Sequence, residues 1–227
     1  MTAVVADASG PNGHAVRSEL STRRMLDAAG ELIAEGGYAK MTLASIGERA
    51  GYSRGLATMR FGSKAKLLEA LVDRIVNHWN HQVVGSRLRG RSGLDRVVAL
   101  VEAIREQYAG DTRSLRVLYA LMFEALGPNE ELRARFVDLH RQMRARLARM
   151  IRAGIEDGSI SASCDPDREA ELVVAMLRGV AFQWRLDPDA FDPVAALEHA
   201  IAAIAARLAP PHRASRRRAQ PVSHGRA

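Results

Sequence analysis

The chain has 227 residues, 47% of them hydrophobic and 26% charged, enough for one core of moderate size with a small appendage. No apolar run of about 18 residues could span a membrane, Met1 to Gly13 lacks the pattern of a secretory signal, and the single cysteine, Cys164, excludes an intrachain disulfide framework or a cysteine-based zinc finger. A reducing cytoplasm is the expected location, and the net charge of +7 is uneven: Arg17 to Lys66 holds nine basic and five acidic residues, Leu67 to Ala209 is nearly balanced, and Pro210 to Ala227 has five arginines and no acid.

Met1 to Val16 has no periodicity and reads as a disordered leader. Met25, Ala28, Ala29, Leu32 and Ile33 then recur at helical spacing, and Glu35-Gly36-Gly37 ends that helix. Leu67, Leu68, Leu71, Val72, Ile75 and Trp79 line a longer helix, which Gly85 and Gly90 are expected to stop. Leu94 to Tyr108 and Leu115 to Leu126 predict two more. Pro128-Asn129 opens a long helix closing near Gly154 or Gly158. Asp165-Pro166 and Asp192-Pro193 each place an acidic cap and a helix-starting proline before the last two, Ala170 to Trp184 and Val194 to Leu208. No alternating strand pattern occurs, so the fold class is all-α with about nine helices, divided into a leader (1–16), a small basic domain (17–66), a large helical domain (67–209) and a basic disordered tail (210–227).

The informative window is TLASIGERAGYSRGLATMRFGSKAK, Thr42 to Lys66. Thr42 is a natural N-cap for a short helix with Leu43, Ile46 and Ala50 inward, Gly51 supplies the turn, Ser53 is expected to cap a second short helix reaching Arg60, and Ser63 caps the next. Such a pair presents its second helix to the major groove. Arg54, Thr58 and Arg60 are predicted on its solvent face, where arginine suits guanine or phosphate and threonine suits phosphate or a thymine methyl. Helix starts near Thr42 and Lys64 offer amides to phosphate. The same arginines also fit a plain solvated surface, and the spacing alone does not choose.

Thr22 to Leu71 resembles the DNA-binding domain of the TetR (tetracycline repressor) family of transcriptional regulators. Thr22-Arg23, Leu26-Asp27-Ala28-Ala29, Gly37-Tyr38, Thr42, Ile46, Ala50-Gly51, Ser53, Phe61-Gly62-Ser63-Lys64 and Leu67-Leu68 carry the resemblance. It implies that Thr42, Ser53, Arg54, Gly55, Thr58, Arg60 and Lys64 approach DNA. Thr58 and Arg60 depart from the aromatic or histidine residues usual at those positions, which leaves the operator sequence open. It further implies a homodimer formed by the last two helices, a palindromic site with reading heads about 34–36 Å apart or a multiple of that, and release of DNA by a small molecule.

In the large domain Leu172 to Trp184 is apolar almost all round, and Val194, Leu197, Ile201, Ile204 and Leu208 form a coiled-coil-like seam flanked by alanines, which reads as a partner-facing surface or as plain core. Trp79, Tyr108, Tyr119, Met122, Phe123 and Met143 are the candidate ligand-lining residues, although such residues at helical spacing are more often simple core. His78, His81 and His140 do not form a metal set, and no cofactor is implied. The chain has no phosphate loop, no G-x-S-x-G elbow and no H-E-x-x-H pair, so an enzyme is not expected. The alternatives to a ligand-released repressor are a ligand-independent DNA-binding protein and a helical small-molecule carrier.

Overall fold

The computed structural model describes residues 11–211, all helix and connecting turns. Helix α1 (Pro11–Lys40) is followed by the short α2 (Leu43–Arg49) and α3 (Arg54–Phe61). Helix α4 (Lys64–His78) runs on through a π-helical turn (Trp79–Val84) and a last turn (Gly85–Leu88) as one rod. Then come α5 (Gly93–Ala109), α6 (Arg113–Glu124), α7 (Glu130–Glu156), α8 (Pro166–Leu186) and α9 (Pro193–Leu208), nine rods among the described residues.

Local chemistry sets most boundaries. Asn129 accepts from the Leu132 amide at 3.0 Å, Asp165 from Asp167 at 3.0 Å and Asp192 from Val194 at 2.8 Å, so α7, α8 and α9 start on side-chain caps worth ~1 kcal/mol each. Helix α1 breaks where the glycine pair predicts, since Gly37 leaves helical geometry (φ 76°, ψ 171°). Two boundaries differ from expectation. Gly85 sits inside the α4 rod with helical dihedrals (φ −58°, ψ −41°), so the helix stops only beyond Leu88; a single glycine lowers helix propensity by ~1 kcal/mol, which packing outweighs. Helix α1 also takes in the last six residues of the expected leader, because Pro11 suits a first turn and tertiary contacts reach back to Ser18. The first ten residues of that leader, and the basic tail from His212 onward, lie outside the described residues.

The small N-terminal domain, the head, packs α1 to α3 and the start of α4 around Met25, Ala29, Ile46, Ala57, Leu67 and Leu68, each fully buried. It joins the large domain without a linker. The expected boundary after Lys66 falls in the first turn of α4, α1 lies along α6 with Gly30 facing Val117, and Arg135 of α7 donates to Asp73 of α4 at 2.7 Å. In the large domain α9 packs on α5 and α7 on α8. The seam of α9 is therefore internal: Leu197, Ile204 and Leu208 are buried within the chain's own core. This corrects the expectation of a partner-facing seam. The alanines beside it, Ala202, Ala203 and Ala206, are the exposed face.

Candidate nucleic-acid interface

Thr42 and Ser45 form a reciprocal capping box: the Thr42 hydroxyl accepts from the Ser45 amide at 3.1 Å, and the Ser45 hydroxyl accepts from the Thr42 amide at 3.0 Å. Gly51 carries the turn at φ +79°, a left-handed conformation that side chains rarely adopt. Gly47 is needed for another reason. A Cβ there would lie 2.6 Å from the Ser53 carbonyl oxygen, so the two short helices meet backbone to backbone. Ser53 itself makes no side-chain cap, contrary to expectation. The turn held by Gly47 and Gly51 fixes the start of α3 in its place.

Ala57 is buried with Ile46, which leaves Arg54, Gly55, Thr58 and Met59 facing solvent from α3. Met59 is 77% exposed and was missed from the sequence; its signal was an unpaired apolar residue one position after the outward Thr58. Arg54 extends outward but is ion-paired to Glu48 of α2. The Arg49 fork clasps Glu35 through two 2.9 Å bonds, tying α2 to α1 and lowering the pKa of Glu35 through the hydrogen bond.

Two of the sequence-predicted contacts point elsewhere. Arg60 is half-buried and turned onto α1, where it donates to the Ser18 carbonyl (3.2 Å), the Ser18 hydroxyl, Thr22 Oγ1 (3.2 Å) and Ser21 Oγ (3.0 Å). This corrects its expected place on the solvent face; four oxygens within reach outweigh hydration of a guanidinium. Lys64 donates to the Tyr38 carbonyl at 2.8 Å and lies 3.8 Å from that ring's centroid. Burial lowers its pKa, against the pull of Glu124. Ser63 does cap α4, accepting from the Lys66 amide at 3.1 Å. The residues left exposed around the start of α3 are thus Thr42, Ser53, Arg54, Gly55, Thr58 and Met59, and Lys40 and Lys66 are exposed as well.

The residues expected to line a ligand site are only partly brought together. Tyr119 and Met143 share one partner, Arg178 of α8, and Tyr108 neighbours Tyr119. Met122 is buried in α6. Phe123 instead meets Phe182 edge to face at 5.9 Å, and Trp79 opens the π-helical turn of α4, partly packed against the core. Arg178 and Trp184, which touch these candidates, were not singled out in the sequence. The legible signal was one arginine inside the apolar run of α8.

Known proteins give a consistent picture. The profile of the family described as bacterial regulatory proteins, tetR family, matches residues 25–71, and that described as BetI-type transcriptional repressor, C-terminal, matches residues 93–209. The chain is 26% identical over 178 residues to the HTH-type transcriptional regulator TtgR of Pseudomonas putida, covering 74% of this chain and 82% of TtgR. It is 27% identical over 166 residues to the HTH-type transcriptional regulator BetI of Rhizobium meliloti, covering 72% of this chain and 77% of BetI. SmeT, the repressor of the Stenotrophomonas maltophilia multidrug efflux pump SmeDEF, superposes with a TM-score of 0.70 at 23% identity over 84% of this chain and 91% of its own, a likeness of fold.

Proposed function

The chain belongs to the TetR family of bacterial transcriptional regulators, and we propose that it is a homodimeric repressor that grips a palindromic operator and releases it when a small molecule occupies the large domain. The observation that carries the DNA half is the display of α3: its inner face is sealed by Ala57 while Arg54, Gly55, Thr58 and Met59 stand open beyond the α2 turn. In this reading Thr42, Ser53, Arg54, Gly55 and Thr58 meet DNA, whereas Arg60 and Lys64 set the pose of α3 and α4 from behind. Repression is the role described for the family matched by residues 93–209. Such a protein acts where the chromosome lies, in the cytoplasm.

The dimer reading rests on an apolar stripe of α8. Val173, Leu177, Val180 and Trp184 are buried in the chain's own core, yet Leu172 (38% exposed), Phe182 (53%) and Leu186 (73%) face solvent on another side, with open space at Gly179. Beside this stripe run the exposed alanines of α9, and small residues let a second pair of helices approach closely. Full burial of one such leucine contributes ~1.5–3 kcal/mol, and a two-fold axis would double each such contribution, against the cost of association.

Coupling to the head would pass through its contacts with α4, α6 and α7. Tyr38, under Lys64, accepts at its hydroxyl from Asn129 at 3.1 Å, and Asn129 caps α7. An effector that shifts α6 or α7 then moves the head, to the extent that it prefers one pose over the other. The test is a fluorescence-anisotropy titration with DNA from the upstream region containing an inverted repeat, combined with light scattering. One dimer per repeat and a steep fall of affinity with salt are expected. Leu172→Glu with Ala203→Glu should give monomers that bind at least ~100-fold more weakly, since both half-sites are no longer held together. A strictly monomeric parent, or equal affinity for a scrambled repeat, overturns the proposal.

A further inference from the structure

Arg178 has no anionic partner among the described residues. Its Nε donates to His140 Nε2 at 2.9 Å, one Nη to the Tyr119 hydroxyl at 2.8 Å, and the other Nη to the Met143 sulfur at 3.3 Å. All three acceptors are neutral, and a thioether is among the weakest acceptors a protein has. A guanidinium remains charged at any physiological pH, so partial burial without a counterion is unfavourable unless an anion arrives. Burial, then the charges of Arg178 and Arg144, lower the pKa of His140 to about 4, so its ring is neutral at pH 7 and brings no negative charge to the cluster.

A second observation lies deeper along the same cluster. The Tyr108 hydroxyl is buried with no partner within ordinary hydrogen-bond length, although Tyr119 interacts with it, and its ring meets Trp184 edge to face at 5.0 Å. Burial foremost, and Tyr119 next, raise its pKa, so it keeps its proton and can donate. A buried hydroxyl left unpaired is normally worth explaining. The groups are supplied by α5 (Tyr108), α6 (Tyr119), α7 (His140, Met143) and α8 (Arg178). His140, Met143 and Arg178 are half-buried, whereas Tyr108 and Tyr119 are only 6% and 4% exposed, so the donors run from a solvent-touched rim into the core.

We propose that this cluster is a carboxylate site and that the effector is an organic acid, an inference that rests on the effector-release reading above. The carboxylate takes the guanidinium N–H now directed at the Met143 sulfur and accepts from the Tyr108 hydroxyl. Its apolar part lies against Trp184, Met143 and Tyr119. The same two donors discriminate against amines, which would meet a cation, and against amides, which offer a single weaker acceptor.

The experiment uses the full chain and matched probes: benzoate and octanoate, their amides, and benzylamine and octylamine, in calorimetric and thermal-shift titrations at pH 7. The carboxylates should bind at least ~10-fold more tightly than the amides, with no shift from the amines. Arg178→Gln should abolish the preference. Because that variant alters packing, Tyr108→Phe is the second arm: it removes only a hydroxyl without a partner, and should keep or raise the melting temperature while weakening the carboxylates ~3–10-fold. Equal binding of amides and acids, no binding by any probe, or carboxylate affinity unchanged in both variants overturns the site. The effector reading fails separately: a carboxylate that binds through Arg178 yet leaves operator affinity unchanged supports the anion site and refutes its role in release.

Discussion

Arg60 in the head and Arg178 in the large domain are both half-buried guanidiniums whose partners among the described residues carry no charge, yet their settings differ. Arg60 is surrounded by oxygen: one carbonyl and three hydroxyls of α1. Arg178 ends on an imidazole, a phenol and a sulfur, with an unpaired phenol nearby. Sequence spacing singled out Arg60 but not Arg178. The acceptors around a cation decide its role more than its position does. Arg60 is satisfied, which supports the scaffold role proposed for it; Arg178 is incompletely satisfied, which supports the ligand role proposed for it.

The largest effect is expected from deforming the head's scaffold itself. Gly47→Ala places a methyl 2.6 Å from the Ser53 carbonyl, and a backbone atom cannot yield as a side-chain tip can. The α2–α3 turn must open, at ~2–3 kcal/mol of stability, with loss of about 100-fold or more in operator affinity. Thermal melts and anisotropy on one preparation check both. An unperturbed affinity would mean that the head is not rigid and that the contrast with the large domain is misplaced.

A second comparison separates the two arginines of α3. Arg54→Ala should leave the melting temperature unchanged and weaken operator binding about tenfold, with a salt dependence reduced by about one ion if the contact is to phosphate. Arg60→Ala should do the reverse, lowering stability by ~1–3 kcal/mol through lost hydrogen bonds while the salt slope stays as in the parent. Should Arg60→Ala reduce the slope and Arg54→Ala not, the roles are exchanged and the fold-back onto α1 gives way on DNA.

Much of this architecture was legible in the sequence, for identifiable reasons. Caps and turns are local chemistry, so Thr42, Gly51, Ser63, Asn129, Asp165 and Asp192 announced their helices directly. Side-chain direction over distance was not legible. Nothing near Arg60 in sequence indicates that Ser18, 42 residues earlier, lies under it, and the spacing of the α9 seam read as partner-facing although it packs on α5. Helical periodicity shows which residues share a face, not what that face meets. Tyr108, Tyr119 and Met143 were picked out by type and spacing, but the residue that joins Tyr119 to Met143, Arg178, comes from α8 and shares no motif with them.

Acid offers a smaller test of the large-domain half. The pKa of His140 is lowered to about 4 in the folded chain, against an ordinary value near 6.5. The unfolded chain therefore binds more protons between these values, and stability must fall as pH drops through that window. For a half-buried group, allowing for solvent screening, the loss is ~1–2 kcal/mol. His140→Gln should flatten the acid limb of a denaturation profile between pH 6.5 and 4, while the Arg60 variant should retain it. An equally steep limb in His140→Gln would place the proton uptake on other groups.

The gentlest perturbation is Glu48→Gln. Arg54 is 77% exposed and Glu48 51% exposed, so their ion pair contributes only ~0.2–1 kcal/mol to the fold. On DNA, however, Glu48 both competes with phosphate or guanine for the guanidinium and adds a negative charge on the neighbouring helix. Removing that charge should leave the melting temperature unchanged and tighten operator binding about two- to fivefold, with the gain shrinking as salt rises. Anisotropy at two salt concentrations resolves it. Weaker binding would show that Glu48 aims Arg54 as much as it holds it back, in which case α2 too uses an acceptor to set the pose of a cation, as α1 does for Arg60.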